Sequence, residues 1–277
     1  VRSRGAPLRR LPRAERLVHG GEALFPSMTL TVLGSGTMMP VPGRYPSGYL
    51  LEAAGMVLLL DCSAPTIARL VEHRVNLHTV DLVCLSHFHT DHFGGLLPFI
   101  HARWVDDIST GRSHRPLTVL GPKELKKRFR QLRRVFWPEP KESYPVTFLE
   151  GPRRLQRGAA RIRVFPIRHV PWFPSVGFRV EVGRRSLVYT GDLGAVQEPS
   201  FEAAIRRASA LLIEAGALAP APNHYTAGEA VNLAKRCHIP KVLLTHIRQE
   251  NMPALKRAIR GQTDIATVVR DGDRIAI

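Results

Sequence analysis

Short apolar runs and longer amphipathic stretches alternate along the chain and divide it into strands and helices. Three apolar runs between residues 30 and 60 are separated by glycine-containing turns, which predicts an opening β-meander. Later runs alternate with stretches whose apolar residues recur every three or four positions, as on one face of a helix. Because a meander followed by this alternation occurs twice, we expect two halves that pack sheet against sheet with helices outside.

These patterns give explicit element boundaries. Strands are expected at residues 30–33, 49–52, 57–60, 82–85, 117–120, 146–149, 162–167, 176–182, 186–189, 210–214, 242–244, 265–269 and 274–277. Helices are expected at residues 66–73, 93–102, 122–136, 201–207 and 227–237.

The first 27 residues differ from the rest of the chain. They hold six arginines and three prolines without apolar periodicity. We therefore expect a basic extension, disordered or artefactual, at residues 1–27 and one folded domain at residues 28–277. The extension lacks the apolar core of a signal peptide, and no apolar run is long enough to span a bilayer. The three cysteines have no paired spacing, as in reducing compartments, so we expect a cytoplasmic protein with no membrane partner.

The segment from His87 to His92 reads His-Phe-His-Thr-Asp-His and places four candidate metal ligands within one turn of backbone. It follows the apolar run 82–85, so the sheet would fix the backbone while the loop aims the side chains. Imidazole and carboxylate groups at this spacing suit zinc or a similar divalent metal. The alternative is a histidine-rich polar loop that binds no metal.

Three more candidate ligands, His169, Asp192 and His246, each follow an apolar run. Each alone could be a surface histidine or a turn residue, but strand ends on one edge of a sheet can converge on one point. The resulting set allows one metal on His87, His89 and His169 and a second on Asp91, His92 and His246, with Asp192 as the bridge. From this ligand set we expect two zinc ions, with manganese or iron as alternatives. Two metals this close would acidify a shared water.

This order of ligands, HxHxDH followed by His, Asp and His, resembles that of metallo-β-lactamase-fold hydrolases over residues 28–277. The resemblance implies an α/β fold, an αββα sandwich of two mixed β-sheets packed face to face with helices outside and the metals in a cleft at the sheet edges. With an aspartate at position 192, the chain resembles one branch of this family, the two-metal hydrolases. That branch contains phosphodiesterases, nucleases, thioester hydrolases and lactonases.

Within that branch, the chain is most similar to ribonuclease Z and related phosphodiesterases. Its loop at residues 33–37, followed by Pro40 and Arg44, resembles their first loop, and its glycines indicate a tight turn under the active site rather than a phosphate cradle. Asp61, at the end of an apolar run, resembles the family's aspartate that orients a ligand imidazole.

The segment 224–230 resembles the start of the ribonuclease Z helix that precedes the last metal-binding histidine. The resemblance implies that His224, oriented by Glu214, steadies the phosphate or protonates the leaving oxygen. Two plainer interpretations stay open: a helix-capping role for His224, and an ion pair between Glu214 and a surface arginine. No long Gly/Pro-rich insertion like the tRNA-gripping arm of ribonuclease Z separates the strands.

Taken together, the ligand residues and the resemblance to ribonuclease Z predict a binuclear metal-dependent hydrolase that cleaves phosphodiesters with a metal-bridging hydroxide. His224, Glu214 and Asp91 are the expected catalytic residues. The alternatives are a lactone or thioester hydrolase on the same metals and a nucleic-acid-binding protein with structural metals. The expected partners are a phosphodiester or other small ester, RNA and, as for relatives, a second copy of the chain.

The charge of the chain, +17, favours a polyanionic partner such as RNA, although the excess of Arg over Lys is also typical of GC-rich coding. The predicted helix 122–136 carries seven cations against Glu124. It is either a track for a phosphate backbone beside the cleft or a solvated basic face. Trp137, Trp172 and Phe173 could stack on bases, line the pocket, belong to the core or form lids over the metals.

Overall fold

The apolar runs form strands in the computed structural model, which describes residues 28–112, 115–136 and 143–277. In chain order, the strands are β1 (Met28–Gly34), β2 (Gly48–Ala53), β3 (Met56–Leu60), β4 (Leu82–Cys84), β5 (Leu117–Gly121), β6 (Val146–Glu150), β7 (Arg153–Arg157), β8 (Ala160–Ile167), β9 (Ser175–Val182), β10 (Arg185–Tyr189), β11 (Ala210–Glu214), β12 (Val242–Thr245), β13 (Ala266–Val268) and β14 (Arg274–Ala276). The helices are α1 (Thr66–Glu72), α2 (Thr90–Phe93), α3 (Leu96–Thr110), α4 (Leu125–Phe136), α5 (Pro199–Ile205), α6 (Ala227–Arg236) and α7 (Met252–Ala258), with 3₁₀ turns at Leu77–Thr79 and Gln249–Asn251.

The strands form two seven-stranded sheets, in the orders β14-β1-β2-β3-β4-β5-β6 and β13-β12-β11-β10-β9-β8-β7. In the first sheet, β1 to β3 pair antiparallel and β3 to β6 pair parallel. In the second, β7 to β10 pair antiparallel and β10 to β13 pair parallel. The predicted repetition of meander and alternation is therefore confirmed, and each sheet is mixed.

Apolar side chains fill three layers. The central cluster lies between the sheets and includes Leu30 of β1 and Phe178 of β9. A second cluster packs the outer face of the second sheet against α5, α6 and α7, and a third packs the first sheet against α1, α3 and α4. Each fully buried Leu, Val or Phe side chain contributes about 1.5–3 kcal/mol to the free energy of folding. The order of these layers, helices, sheet, sheet and helices, confirms the αββα sandwich.

Two elements escaped the sequence pattern. β7 is an edge strand with Leu155 as its one apolar residue, so it shows no alternation, and α7 spans only seven residues. The predicted helix 93–102 is divided: Phe93 ends α2, whereas α3 begins at Leu96 and continues to Thr110. Gly111, at a φ of 64°, takes the left-handed conformation that ends α3.

The expected N-terminal extension, residues 1–27, lies outside the described residues. Within the described segments, no helix combines the length and the apolar character that crossing a bilayer requires.

Candidate metal centre

The candidate ligands lie where strands end at one edge of the sandwich. His87 to His92 follow β4, while His169, Asp192 and His246 follow β8, β10 and β12. Gly191 precedes Asp192 with a φ of 62°, and a Cβ there would meet Ser86 at 2.5 Å. Only glycine allows this approach without strain. The two sheets therefore bring all seven predicted ligands together.

The first group of donors consists of three histidines and one aspartate. His89 Nδ1 lies 3.0 Å from His87 Nε2 and 3.3 Å from His169 Nε2. Asp192 Oδ2 lies 3.8 Å from the Nε2 atoms of both His87 and His169. Ligands about 2.0–2.1 Å from a tetrahedral zinc ion lie about 3.3 Å apart, so these separations fit a shared cation.

The second group joins Asp91, His92 and His246. Asp192 serves this group too, because its Oδ1 lies 3.4 Å from His92 Nε2 and its Oδ2 lies 3.5 Å from His246 Nε2. Among the described residues, His92 Nε2 and Asp192 Oδ1 are buried atoms without a hydrogen-bond partner. Because leaving such atoms unpaired is costly, the donor set fits two metal ions with Asp192 between them.

A hydrogen bond to the other ring nitrogen holds each buried imidazole. In the four buried ligand histidines, Nδ1 contacts a protein oxygen, and this contact leaves Nε2 facing the donor cluster. The pairs are His87 with Ser86 Oγ at 2.9 Å, His92 with Asp61 Oδ2 at 2.6 Å, His169 with the carbonyl of Asn223 at 3.0 Å and His246 with Ser47 Oγ at 3.4 Å.

Asp61 connects the two sheets beneath the site. Besides the His92 ring, its carboxylate accepts hydrogen bonds from the backbone N–H of Ser86 at 2.6 Å, from the Ser86 hydroxyl and from the hydroxyl of Tyr189 on β10. The predicted role of Asp61 in orienting a candidate ligand imidazole agrees with this geometry. Tyr189 gave no such signal in the sequence, because its partner lies 128 positions earlier.

The pKa shifts favour cation binding. Burial lowers the pKa of His87 well below its ordinary value and that of His169 to about 4, so both rings are neutral and can act as ligands. Burial also lowers the pKa of His92, but the carboxylates of Asp192 and Asp61 outweigh it and raise that pKa. His92 therefore lies in a strongly negative environment that a metal ion would neutralise.

His224 and Glu214 form a hydrogen-bonded pair beside the donors. His224 Nδ1 lies 3.0 Å from both oxygens of the buried Glu214 carboxylate. Burial raises the pKa of Glu214 to about 7, although the His224 hydrogen bond lowers it, and Glu214 in turn raises the pKa of His224 against the effect of burial. The ring centroid of His224 lies 5.3 Å from that of His169 and 5.6 Å from that of His246.

The plainer interpretations of this pair do not hold. Thr226, not His224, caps α6: its hydroxyl accepts a hydrogen bond from the backbone N–H of Glu229 in a reciprocal capping box. The side-chain partner of Glu214 is His224 rather than an arginine, and backbone N–H groups of Leu193 and Gly216 complete the carboxylate's contacts.

An open cleft of about 600 Å³ gives access to the donors. Its lining is mostly polar: Thr37, Met38, His89, Thr90, Asp91, Asp192, Gly216, Leu218, His224, His246, Arg248 and Asn251. The sequence pattern did not single out Arg248 or Asn251, since both lie in a polar segment with no motif. Such a lining suits a polar or anionic substrate better than a long acyl chain.

Aromatic residues border the His89 side of the centre. Phe173 stacks on His87 with ring centroids 5.8 Å apart and meets His89 edge-on at 5.0 Å. Trp172 is exposed, whereas Trp137 lies outside the described residues. Phe173 therefore packs against two imidazoles of the centre, although it is not among the residues that line the cleft.

The glycines of the first loop allow close packing, as expected. A Cβ at Gly34 would lie 2.0 Å from the carbonyl oxygen of Pro46, and one at Gly36 would lie 2.6 Å from that of Arg44. The buried Arg44 guanidinium donates to Ser35 and to the carbonyl of Val269. The loop is thus a tight turn that joins the two sheets, not a phosphate-binding loop.

Comparisons with known proteins agree with this architecture. Ribonuclease Z of Mycobacterium marinum is 29% identical over 262 residues, which cover 85% of this chain and 89% of that protein. Matches to other bacterial ribonuclease Z proteins cover between 38% and 83% of those proteins.

Solved structures share the fold. The metallo-beta-lactamase fold protein YhfI from Bacillus subtilis superposes with a TM-score of 0.75 at 23% identity, over 91% of this chain and all of that one. The short form of human tRNase Z superposes with a TM-score of 0.71 at 21% identity, over 89% of this chain and 98% of that one.

Residues 57–247, more than half of the chain, match the family model described as the beta-lactamase superfamily domain. The buried His/Asp clusters provide the donors that a metal-dependent hydrolase of this fold requires. The resemblance seen in the sequence is confirmed, and the chain belongs to the metallo-β-lactamase superfamily.

Proposed function

We propose that the chain is a binuclear metal-dependent phosphodiesterase. The observation that carries this proposal is the His224–Glu214 pair, a proton donor held by two 3.0 Å contacts at the rim of the cleft beside the His/Asp donors. The polar lining of the cleft and the relatives named ribonuclease Z support a phosphodiester substrate. The two donor groups of the structure support His87, His89, Asp91, His92, His169, Asp192 and His246 as the ligands.

In this proposal, these ligands would hold two divalent cations, zinc first and manganese or iron as alternatives, which would acidify water and offset charge on the phosphate. Water attacks phosphorus after it has given up a proton to solvent, and the P–O bond to the departing group breaks. Glu214 holds Nδ1 of His224, so Nε2 is free to give its proton to the departing oxygen. Asp91 lines the cleft, where it contributes a ligand oxygen and orients the attacking water.

The first test replaces His224 by Ala and measures hydrolysis of a dinucleotide, whose departing ribose oxygen needs a proton in order to leave. Loss of a general acid lowers kcat by about 10²–10⁴, while elemental analysis still finds the metal content of the parent protein. His101→Ala, on α3 and away from the cleft, is the matched control and should keep full turnover. Unchanged turnover in the His224 variant would refute the assigned role, and loss of metal would make His224 a ligand instead.

A substrate panel separates the alternatives that share these metals. We expect the zinc- or manganese-loaded protein to hydrolyse phosphodiesters, including short RNA and cyclic nucleotides, faster than thioesters or lactones. Faster turnover of a thioester or lactone would favour the other hydrolase classes. Salt-sensitive RNA binding without turnover of any ester would favour structural metals.

A further inference from the structure

The helix α4 presents a row of cations that the fold itself does not use. Lys127, Arg130 and Arg134 are exposed and follow the i, i+3, i+7 spacing of one helix face. Among residues 28–112, 115–136 and 143–277, no acidic side chain pairs with any of the three. The opposite face carries the buried Leu125 and Phe129, so α4 docks on the first sheet and holds its cations outward.

A cation–aromatic contact fixes this helix beside the metal centre. The Arg128 guanidinium lies 4.5 Å from the ring centroid of Phe88, which stands between His87 and His89. Glu124 accepts a hydrogen bond from Arg128 at 2.9 Å and keeps it in place. The row of free cations on α4 therefore starts next to the loop that supplies the first candidate ligands.

Aromatic side chains continue the same border. Phe88 meets Phe173 edge-on with ring centroids 5.9 Å apart. The neighbouring Trp172 leaves 66% of its surface exposed, and Phe136 at the end of α4 leaves 70% exposed. These two exposed rings lie on the segments that carry the cations and Phe173.

We infer that this surface beside the metal centre, formed by α4 and by Trp172, binds single-stranded nucleic acid. Proteins that bind single strands combine cations that follow the backbone with exposed rings on which bases stack. The row from Lys127 to Arg134 covers about 10 Å of helix, and Trp172 offers a stacking platform. The inference rests on the proposed phosphodiesterase function only in that the bound strand would lead into the same cleft.

The experiment measures binding of a fluorescein-labelled uridine dodecamer to the zinc-loaded protein by fluorescence anisotropy over a salt series, with His224→Ala in every sample so that the strand stays intact. The variant Lys127→Gln/Arg130→Gln/Arg134→Gln should raise Kd at least about tenfold. It should also reduce the salt slope, the slope of log Kd against log salt concentration, by about 2, because each lost cation removes roughly 0.7. Its control, Arg184→Gln/Lys256→Gln/Arg260→Gln, removes the same charge from exposed positions away from α4. The control should change Kd by less than about twofold, since distant surface charges are screened.

A second variant, Trp172→Ala, tests the stacking part without changing charge. It should raise Kd about fivefold or more and leave the salt slope unchanged, because a stacked base is neutral. An RNA duplex of equal length should bind more weakly than the single strand. Equal losses in the α4 variant and its control, tighter duplex binding, or no binding by the parent protein would each overturn the inference.

Turnover of bis(p-nitrophenyl) phosphate keeps this inference separate from the proposed function. That substrate is too small to reach α4, so all three variants should hydrolyse it as the parent does. If the protein binds the dodecamer but hydrolyses no ester, only the proposed phosphodiesterase function is refuted. If it hydrolyses the ester but the α4 substitutions do not change dodecamer binding, only the proposed binding surface is refuted.

Discussion

At the scale of single residues, the candidate site depends on side chains that hold the ligands as much as on the ligands. Tyr189 and Asp61 come from opposite sheets, and the Tyr189 hydroxyl donates to the carboxylate that holds His92. Loss of such a supporting contact lowers metal affinity about 10–100-fold. We therefore expect Tyr189→Phe to weaken binding of one of two zinc ions, as measured by competition with a chromophoric chelator.

Tyr49→Phe is the matched control for this prediction. Its ring packs 5.2 Å from that of Tyr189 and is equally buried, but its hydroxyl pairs with Thr245 at 2.7 Å and not with a carboxylate. Both variants lose a buried hydroxyl, so a shared loss of stability is expected. If the two variants bind zinc equally well, the Tyr189 contact does not position His92.

The sequence predicted the candidate ligands but not the atoms that orient them. His87, Asp192 and the other donors are recognisable because each follows an apolar run. Ser47 and the carbonyl of Asn223, in contrast, reach His246 and His169 from segments 199 and 54 positions away. No local pattern encodes such contacts, because the register of both sheets decides which loops meet.

At the scale of elements, one glycine precedes β10 and another follows it. Comparing substitutions at the two glycines shows what holds Asp192 in position. Gly191 has a φ of 62°, and a Cβ there would meet Ser86 at 2.5 Å. Gly183, in the turn before β10, has a φ of 58° with open space around its Cβ position. Alanine at either position costs about 1–2 kcal/mol through backbone strain, but only Gly191→Ala also displaces Ser86 or Asp192.

We therefore expect Gly183→Ala to lower the stability slightly and keep both metal ions. Gly191→Ala should lose more stability and also lower the metal content, because Ser86 supports both His87 and Asp61. Urea unfolding and elemental analysis measure the two effects. Equal metal content in the two variants would show that the chain absorbs the clash elsewhere.

The elements that the sequence pattern missed are the ones whose conformation depends on neighbouring segments. β7 is strand-forming through its pairing with β8, not through its own arginine-rich sequence. The division of 93–102 into α2 and α3 depends on Gly95, where a Cβ would lie 2.1 Å from the carbonyl oxygen of Ser63. Apolar periodicity finds elements that bury a face, whereas edge strands and short turns are set by their neighbours.

At the scale of the whole molecule, the candidate centre joins the two sheets. The first sheet supplies the ligands after β4, and the second supplies those after β8, β10 and β12. A backbone contact crosses the same seam: the Ile247 N–H, after β12, donates to the carbonyl of Ser35, after β1, at 3.1 Å. Cations bound at the seam would hold the two halves of the sandwich together.

Metal removal should therefore lower the stability of the entire domain. An ion present at a hundred times its Kd stabilises the folded state by about 2.7 kcal/mol, and each kcal/mol shifts Tm by about 2–4 °C in a domain of this size. We expect a chelator to lower Tm in a single cooperative transition and zinc to restore it. His246→Ala, which removes one ligand of the second group, should recover only part of the shift, whereas His101→Ala should recover all of it. A Tm that is the same with and without metal would show that the donors do not bind cations strongly enough to join the sheets.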